Sequence, residues 1–215
     1  MSLKALNRFF SSERTVHETR KQVFLWKQFK AGSLLRASGS RVTAERVRAS
    51  HPVDVFLLGQ LEPKILDRSL FRASEAGVPA NLAGEVRCET GFDNVRGQWR
   101  ADVVLSNCIK QGMQATGHMS LVLSQRDLYV APLNFVFGLA MRDIQAAIVS
   151  WHRLGDDDTS IFADRLAKEI VHEVGHLEGL EHCPDPSCVM WFSNTLQETD
   201  AKGVNFCRIC QERRR

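Results

Sequence analysis

The run His172-Glu173-Val174-Gly175-His176-Leu177-Glu178-Gly179-Leu180-Glu181-His182 carries more information than any other stretch of this 215-residue chain. His172 and His176 are four positions apart, so on a helix their imidazoles leave one face and can grip a metal ion. Glu173 follows the first of them and can take a proton from a water held at that metal. A hydrolytic Zn²⁺ needs three protein ligands and one open position. Gly179 can adopt a positive φ, end the helix and turn the chain, which lets His182 return as the third ligand. Away from the metal, Leu166, Ile170, Val174 and Leu177 form an apolar stripe that fastens the helix to a core. Its start is read at Asp158 or Thr159, either of which can cap it.

Immediately downstream, Cys183 abuts the third histidine. With Cys188, Cys207 and Cys210 it makes two close pairs within the last 33 residues. Four thiolates at such spacings can close a tetrahedral zinc site that has no room for substrate water. Two disulfides are the alternative. A closed metal site would staple a tail too small to fold by itself and would tie it to the histidine site through the His182-Cys183 step. Cys88 and Cys108 stand apart and read as buried thiols. His17, His51, His118 and His152 have no ligand-like spacing.

Upstream, strands and helices alternate, which implies an α/β layer on a partly parallel sheet. Val53-Asp54-Val55-Phe56-Leu57-Leu58 reads as a buried strand, and Glu62 to Ala73 has helical spacing. Gly84 to Thr90 alternates like a half-buried strand, and Arg100 to Met113 reads as an amphipathic helix. His118 to Leu123, Phe135 to Leu139 and Ala146 to Trp151 are further strand candidates. Residues 1–50 form a basic extension, with eleven Lys or Arg against Glu13, Glu18 and Glu45, and contain helix-prone Val16 to Lys30. The expected division is this extension, a catalytic part over 51–182, and a C-terminal subdomain over 183–215.

An apolar share of 44%, a charged share of 25% and a net charge of +3 are ordinary for a globular chain. No stretch approaches the roughly 20 apolar residues of a membrane span. No secretory signal is recognisable, and close cysteine pairs then favour metal over disulfides, so a reducing, cytoplasmic setting is expected. The basic arm and the paired cysteines raise nucleic-acid binding as a minor reading. Trp191 and Phe192 read better as core or cleft wall than as base-stacking platforms.

The extended histidine motif, followed by Cys188-Val189-Met190, resembles the metzincin clan of zinc peptidases, with Met190 as the methionine that floors the metal site. The run into Cys183 and the later Cys207-Arg208-Ile209-Cys210 narrow the resemblance to the archaemetzincins. Arg96-Gly97-Gln98-Trp99, Asp127-Leu128-Tyr129, Asn134-Phe135-Val136-Phe137-Gly138, His182-Cys183-Pro184-Asp185-Pro186 and Phe192-Ser193-Asn194 agree. The resemblance spans about Val53 to Cys210. It implies a zincin fold, with a twisted mixed sheet, a backing helix, an active-site helix and a small zinc-bound C-terminal subdomain.

It also implies two Zn²⁺ per chain, one catalytic on His172, His176 and His182 and one structural on the four cysteines. Glu173 would be the general base of peptide-bond hydrolysis. The segment around Phe135 and Phe137 would be an edge strand that receives a peptide or protein substrate. Some metzincins carry a tyrosine just after the methionine, where this chain has Trp191 and Phe192. A monomeric peptidase is the leading expectation, with aminopeptidase action as one mode of cleavage. The alternative is a zinc protein with the same site and little turnover, acting by binding.

Overall fold

The computed structural model describes residues 52–111, 113 and 119–214. The basic extension, with its helix-prone stretch, lies outside these residues, as do His17, His51 and His118. Strand β1 (Val53–Leu58) comes first, and helix α1 (Pro63–Glu75) crosses from it to the parallel strand β2 (Ala80–Glu85). Pro63 suits the first turn of α1, where its missing N–H has no helical partner to lose. Beyond β2 come two short strands, β3 (Phe92–Asp93) and β4 (Gln98–Arg100), then helix α2 (Ala101–Lys110) and strands β5 (Ser120–Ser124) and β6 (Leu128–Tyr129). Strand β7 (Gly138–Met141), a short 3₁₀ turn (Arg142–Ile144) and strand β8 (Ala146–Ser150) lead to the long helix α3 (Thr159–Leu177). Two short helices close the chain, α4 (Leu196–Ala201) and α5 (Arg208–Arg213).

Five strands form the main sheet in the order β2-β1-β5-β8-β7, all parallel except β7, which runs antiparallel along the outer edge. The period-2 alternation of side chains explains both cores. Val53, Val55 and Leu57 of β1, Leu121 and Leu123 of β5, and Ala147 and Val149 of β8 point to one face, where α1 and α3 pack. Val122, Ile148 and Leu139 point to the other face and meet Val104, Leu105 and Cys108 of α2. A second, three-stranded sheet, β3-β4-β6, adds to that side.

The helices stand close to where their periodicity puts them. Asp158 is the residue that caps α3, its carboxylate accepting the Ser160 N–H at 2.7 Å. Two strand expectations shift. Only Gly84 and Glu85 of the Gly84–Thr90 stretch are in a strand, as the end of β2; the rest of that strand lies before them. Phe135–Leu139 also slides, since β7 begins at Gly138. Phe137 is buried in the core instead, and Phe135 packs edge-on against it with ring centroids 5.2 Å apart. The segment after α3 is no separate core, because Cys188, Val189, Met190, Val204 and Cys210 join the cluster under the main sheet.

Candidate metal centres and active site

Helix α3 is buried from Leu166 to Leu177, polar residues included. Its turns place His172 and His176 on one side, and the chain reverses at Gly179, whose φ is +94°. His182 thereby returns to the other two, and the three imidazoles offer nitrogens within 4.8 Å of one another. The Nε2 atoms of His172 and His176 lie 3.1 Å apart. A tetrahedral ion with bonds of 2.0–2.1 Å would set them about 3.3–3.4 Å apart, so the bite suits zinc. The ring nitrogens facing away are anchored, His172 Nδ1 to the Val189 carbonyl at 2.8 Å and His176 Nδ1 to the Leu180 carbonyl at 2.9 Å. With the proton on Nδ1 donated to these carbonyls, the Nε2 lone pairs converge on the ion position.

Burial holds His172 well below the ordinary imidazole range, with Lys202 and the other two histidines adding to the effect. His172 is therefore neutral, the form that binds metal. Glu173 is also fully enclosed. Burial first, then the charge of Glu169, pushes its carboxyl well above the ordinary range, and Lys202 opposes them. Gly138, the first residue of β7, lies directly over that carboxylate. A Cβ built there would come within 2.5 Å of Glu173 Oε1. The edge strand and the base are thus in contact through a glycine backbone.

Met190 is completely buried. It passes α3 at Gly175, where a Cβ would sit 2.5 Å from the methionine sulfur and 2.9 Å from the Phe206 ring. Phe192 packs edge-on against His182 at 4.9 Å between centroids. Trp191 and Phe192, the two residues after Met190, are apolar rings that bring no tyrosine hydroxyl. The single tyrosine of the sequence, Tyr129, instead donates to Asp93 at 2.6 Å in the small sheet. A cleft of about 700 Å³ opens beside His182, walled by Gly179, Glu181, Asp185, Arg208 and Ile209 among others.

The four C-terminal cysteines also converge, with their sulfurs within 4.8 Å of one another. Cys183 Sγ and Cys207 Sγ are 3.8 Å apart. This is far from the roughly 2.0 Å of a disulfide and matches the about 3.8 Å between thiolates on a tetrahedral ion with 2.3 Å bonds. The Cys207 N–H donates to Cys188 Sγ at 3.3 Å, a bond that stabilises a thiolate. Cys207 precedes α5, and the Cys210 N–H holds its thiol below the ordinary range. Burial pushes Cys188 and Cys210 up. Four thiolates in that space need a dication to balance them, and the donor set fits one. Cys88 and Cys108 are buried elsewhere, with Cys108 pushed up to about 12, and His152 lies on the surface.

Two residues at the site, Glu169 and Lys202, had no readable signal in the sequence. Gly138 was visible only as part of a motif. Glu169 and Lys202 sit in polar runs that read as surface, yet both are buried. The Arg96–Trp99, Asp127–Tyr129 and Asn134–Gly138 stretches meet in one network. Gln98 donates to Asp127 at 3.2 Å and to the Asn134 carbonyl at 2.9 Å, and Arg96 donates to the Asn134 carbonyl at 3.0 Å. This network fixes the loop that delivers Gly138 onto Glu173.

Comparison with known proteins agrees with this geometry. Peptidase family M54 matches residues 77–215. The archaemetzincin of Methanopyrus kandleri is 45% identical over 124 residues, which cover 58% of this chain and 70% of that protein. The archaemetzincin of Halobacterium salinarum is 33% identical over 156 residues, 68% of this chain and 83% of that one. The crystal structure of the Methanopyrus kandleri protein superposes with a TM-score of 0.67 at 38% identity, covering 77% of this chain and 94% of the other. A zinc-dependent peptidase from Methanocorpusculum labreanum gives 0.65 at 30% identity, covering 75% and 98%. With its histidine triad, cysteine cluster and mixed sheet, the chain belongs to the archaemetzincins, the M54 family of zinc metallopeptidases.

Proposed function

We propose that the chain hydrolyses peptide bonds with Glu173 as general base, holding one zinc on His172, His176 and His182 and a second on Cys183, Cys188, Cys207 and Cys210. The observation that supports this reading is the convergence of three histidine nitrogens within 4.8 Å, next in sequence to a carboxylate, Glu173, that is buried against the strand edge at Gly138. When bound at the histidines, zinc supplies Lewis-acid polarisation and acidifies a water. The chain's own residues do the rest. His172 and His176 are oriented by the Val189 and Leu180 carbonyls. Glu173 accepts the water's proton and hands it to the departing amine. Phe192, Phe137 and Met190 keep the surroundings apolar, which strengthens each polar contact there.

Substrate would add to β7. The Ser150 N–H bonds the Phe137 carbonyl, and the register pairs Gly138 with Val149 and Ala140 with Ala147. By antiparallel alternation, Phe137 and Leu139 bond inward to β8, while the backbone groups of Gly138 and Ala140 face outward. These two residues, rather than the side chains of Phe135 and Phe137, are the peptide's hydrogen-bond partners in this reading. The division at residue 182 is functional in the same sense. Residues 183–215 support the site from below and are held by the second metal.

Glu173→Gln tests the proposal. The variant should retain metal at both sites and lose cleavage of a diverse peptide library by about 10²–10⁴-fold, the usual worth of a positioned base. Equal cleavage by both proteins would remove Glu173 from the mechanism. Binding of the same peptides with no turnover in either would favour a binding role instead.

A further inference from the structure

Helix α3 buries a pair of charges that hydrolysis as described does not use. Lys202, the residue after α4, has a side chain with 0% exposure, and its Nζ lies 3.0 Å from Oε1 of Glu169, itself 4% exposed. Neither atom makes an aligned hydrogen bond, so the contact is ionic. Charges taken so far from water are costly, and their attraction offsets that cost only at a well-held separation. A buried ion pair is weak evidence for stability, and in some proteins such a pair serves to fix geometry.

The geometry specified here runs through the active site. Glu169 precedes His172 by three residues and Glu173 by four, so the three side chains leave the same face of α3. On the other side, the Gly203 N–H donates to the Ser187 carbonyl and the Val189 N–H to the Asn205 carbonyl. The Val189 carbonyl then accepts His172 Nδ1 at 2.8 Å. The contacts close a ring from Glu169 along α3 to His172, across to Val189 and Asn205, back along the chain to Lys202, and over the ion pair to Glu169. Two other contacts join α3 to the same segment. Arg165 meets Asp200 at 2.6 Å, and Lys168 Nζ donates to the carbonyls of Thr199 and Asp200 at 3.1 and 3.2 Å. Both start further from the ligands along α3, and Asp200 is 43% exposed.

We propose that Lys202 is a positioning residue of the active site, acting through Glu169. The ion pair sets the 187–205 segment in one register against α3, and so keeps the Val189 carbonyl on His172 and the Glu173 carboxylate against Gly138. An apolar pair of the same size would restore burial, but burial is rewarded in any register. The inference rests on the zinc-peptidase reading, and its test separates the two.

The full-length zinc-loaded protein is compared with Lys202→Met/Glu169→Leu, with Lys202→Arg, and with Arg165→Met as a control on the outer contact. The double variant should keep the wild-type melting temperature and the four-thiolate metal. It should release the histidine-held metal to a chelator about tenfold faster and lose about tenfold in kcat, the cost typical of an outer-shell partner. KM should stay within roughly twofold, because neither Lys202 nor Glu169 binds substrate. Lys202→Arg, which keeps the charge, should recover part of both, and Arg165→Met should change neither. A double variant that holds metal and turns over like the wild type would reduce the pair to space filling and overturn the proposal. If the double variant does not fold, Glu169→Gln carries the same comparison at constant volume. If the wild-type protein cleaves no peptide, the metal-release arm still decides the role of Lys202, and only the hydrolysis reading fails.

Discussion

Gly138 has no Cβ, and the Glu173 carboxylate fills the space where one would be. Gly138→Ala must move either the edge strand or the base, an overpacking cost of about 1–3 kcal/mol. We expect kcat to fall by about tenfold or more, since each 1.4 kcal/mol is a factor of ten, with both metals retained on metal analysis. His172 yields a prediction in pH. Its folded pKa lies well below 6.5, so the unfolded chain takes up a proton near 6.5 that the folded chain refuses. Stability therefore declines as pH falls below 6.5 toward the folded value. Urea unfolding of the metal-free protein across pH measures this loss. Metal-free stability that does not fall below pH 6.5 would overturn this prediction. The grouping of the three histidines and of the four cysteines was legible because their spacing is local and chemically narrow. Glu169 and Lys202 were not, because 33 positions separate them and only the tertiary fold makes their charges meet.

Among the elements, α1, α2 and α3 were legible from apolar periodicity, and β1 and β8 from short runs of apolar residues. Strand β2 was misplaced for a physical reason. It lies at an edge with residues 81–83 exposed in succession, so no alternation marks it. Strands β3 and β6 are two residues long and carry no period at all. Strand β7 was read three residues early because Phe135 and Phe137 alternate like strand residues, whereas their rings serve the core and each other. The packing of α3 on the methionine turn depends on Gly175. Gly175→Ala should destabilise the protein by about 1–3 kcal/mol in urea unfolding, because Met190 and Phe206 occupy the added methyl's place. Gly155→Ala, with nothing within 4 Å of the new Cβ, should change stability by no more than about 0.5 kcal/mol. Equal effects at the two positions would show that Met190 is not packed as described.

At the scale of the whole molecule, the C-terminal segment is held by several contacts of different character. Besides Lys202, Arg214 meets Glu178 at 2.6 Å just beyond the last turn of α3, and the four cysteines gather the ends of the segment. Among the described residues, no helix is long and apolar enough to cross a membrane. Cys188→Ser should cost the thiolate site its metal, lower the melting temperature, and weaken retention of metal by the histidines, all read by metal analysis and thermal unfolding after dialysis. Unchanged retention there would separate the two sites. Their closeness has a thermodynamic side as well. Val189 follows Cys188, and its carbonyl bonds His172 Nδ1, so adjacent residues belong to the two proposed sites. Linkage makes such an arrangement reciprocal. Whatever factor an ion on the sulfurs adds to affinity at the imidazoles, an ion at the imidazoles returns to the sulfurs. Filling the two sites should then be a cooperative event, with half-loaded molecules rarer than independent binding allows.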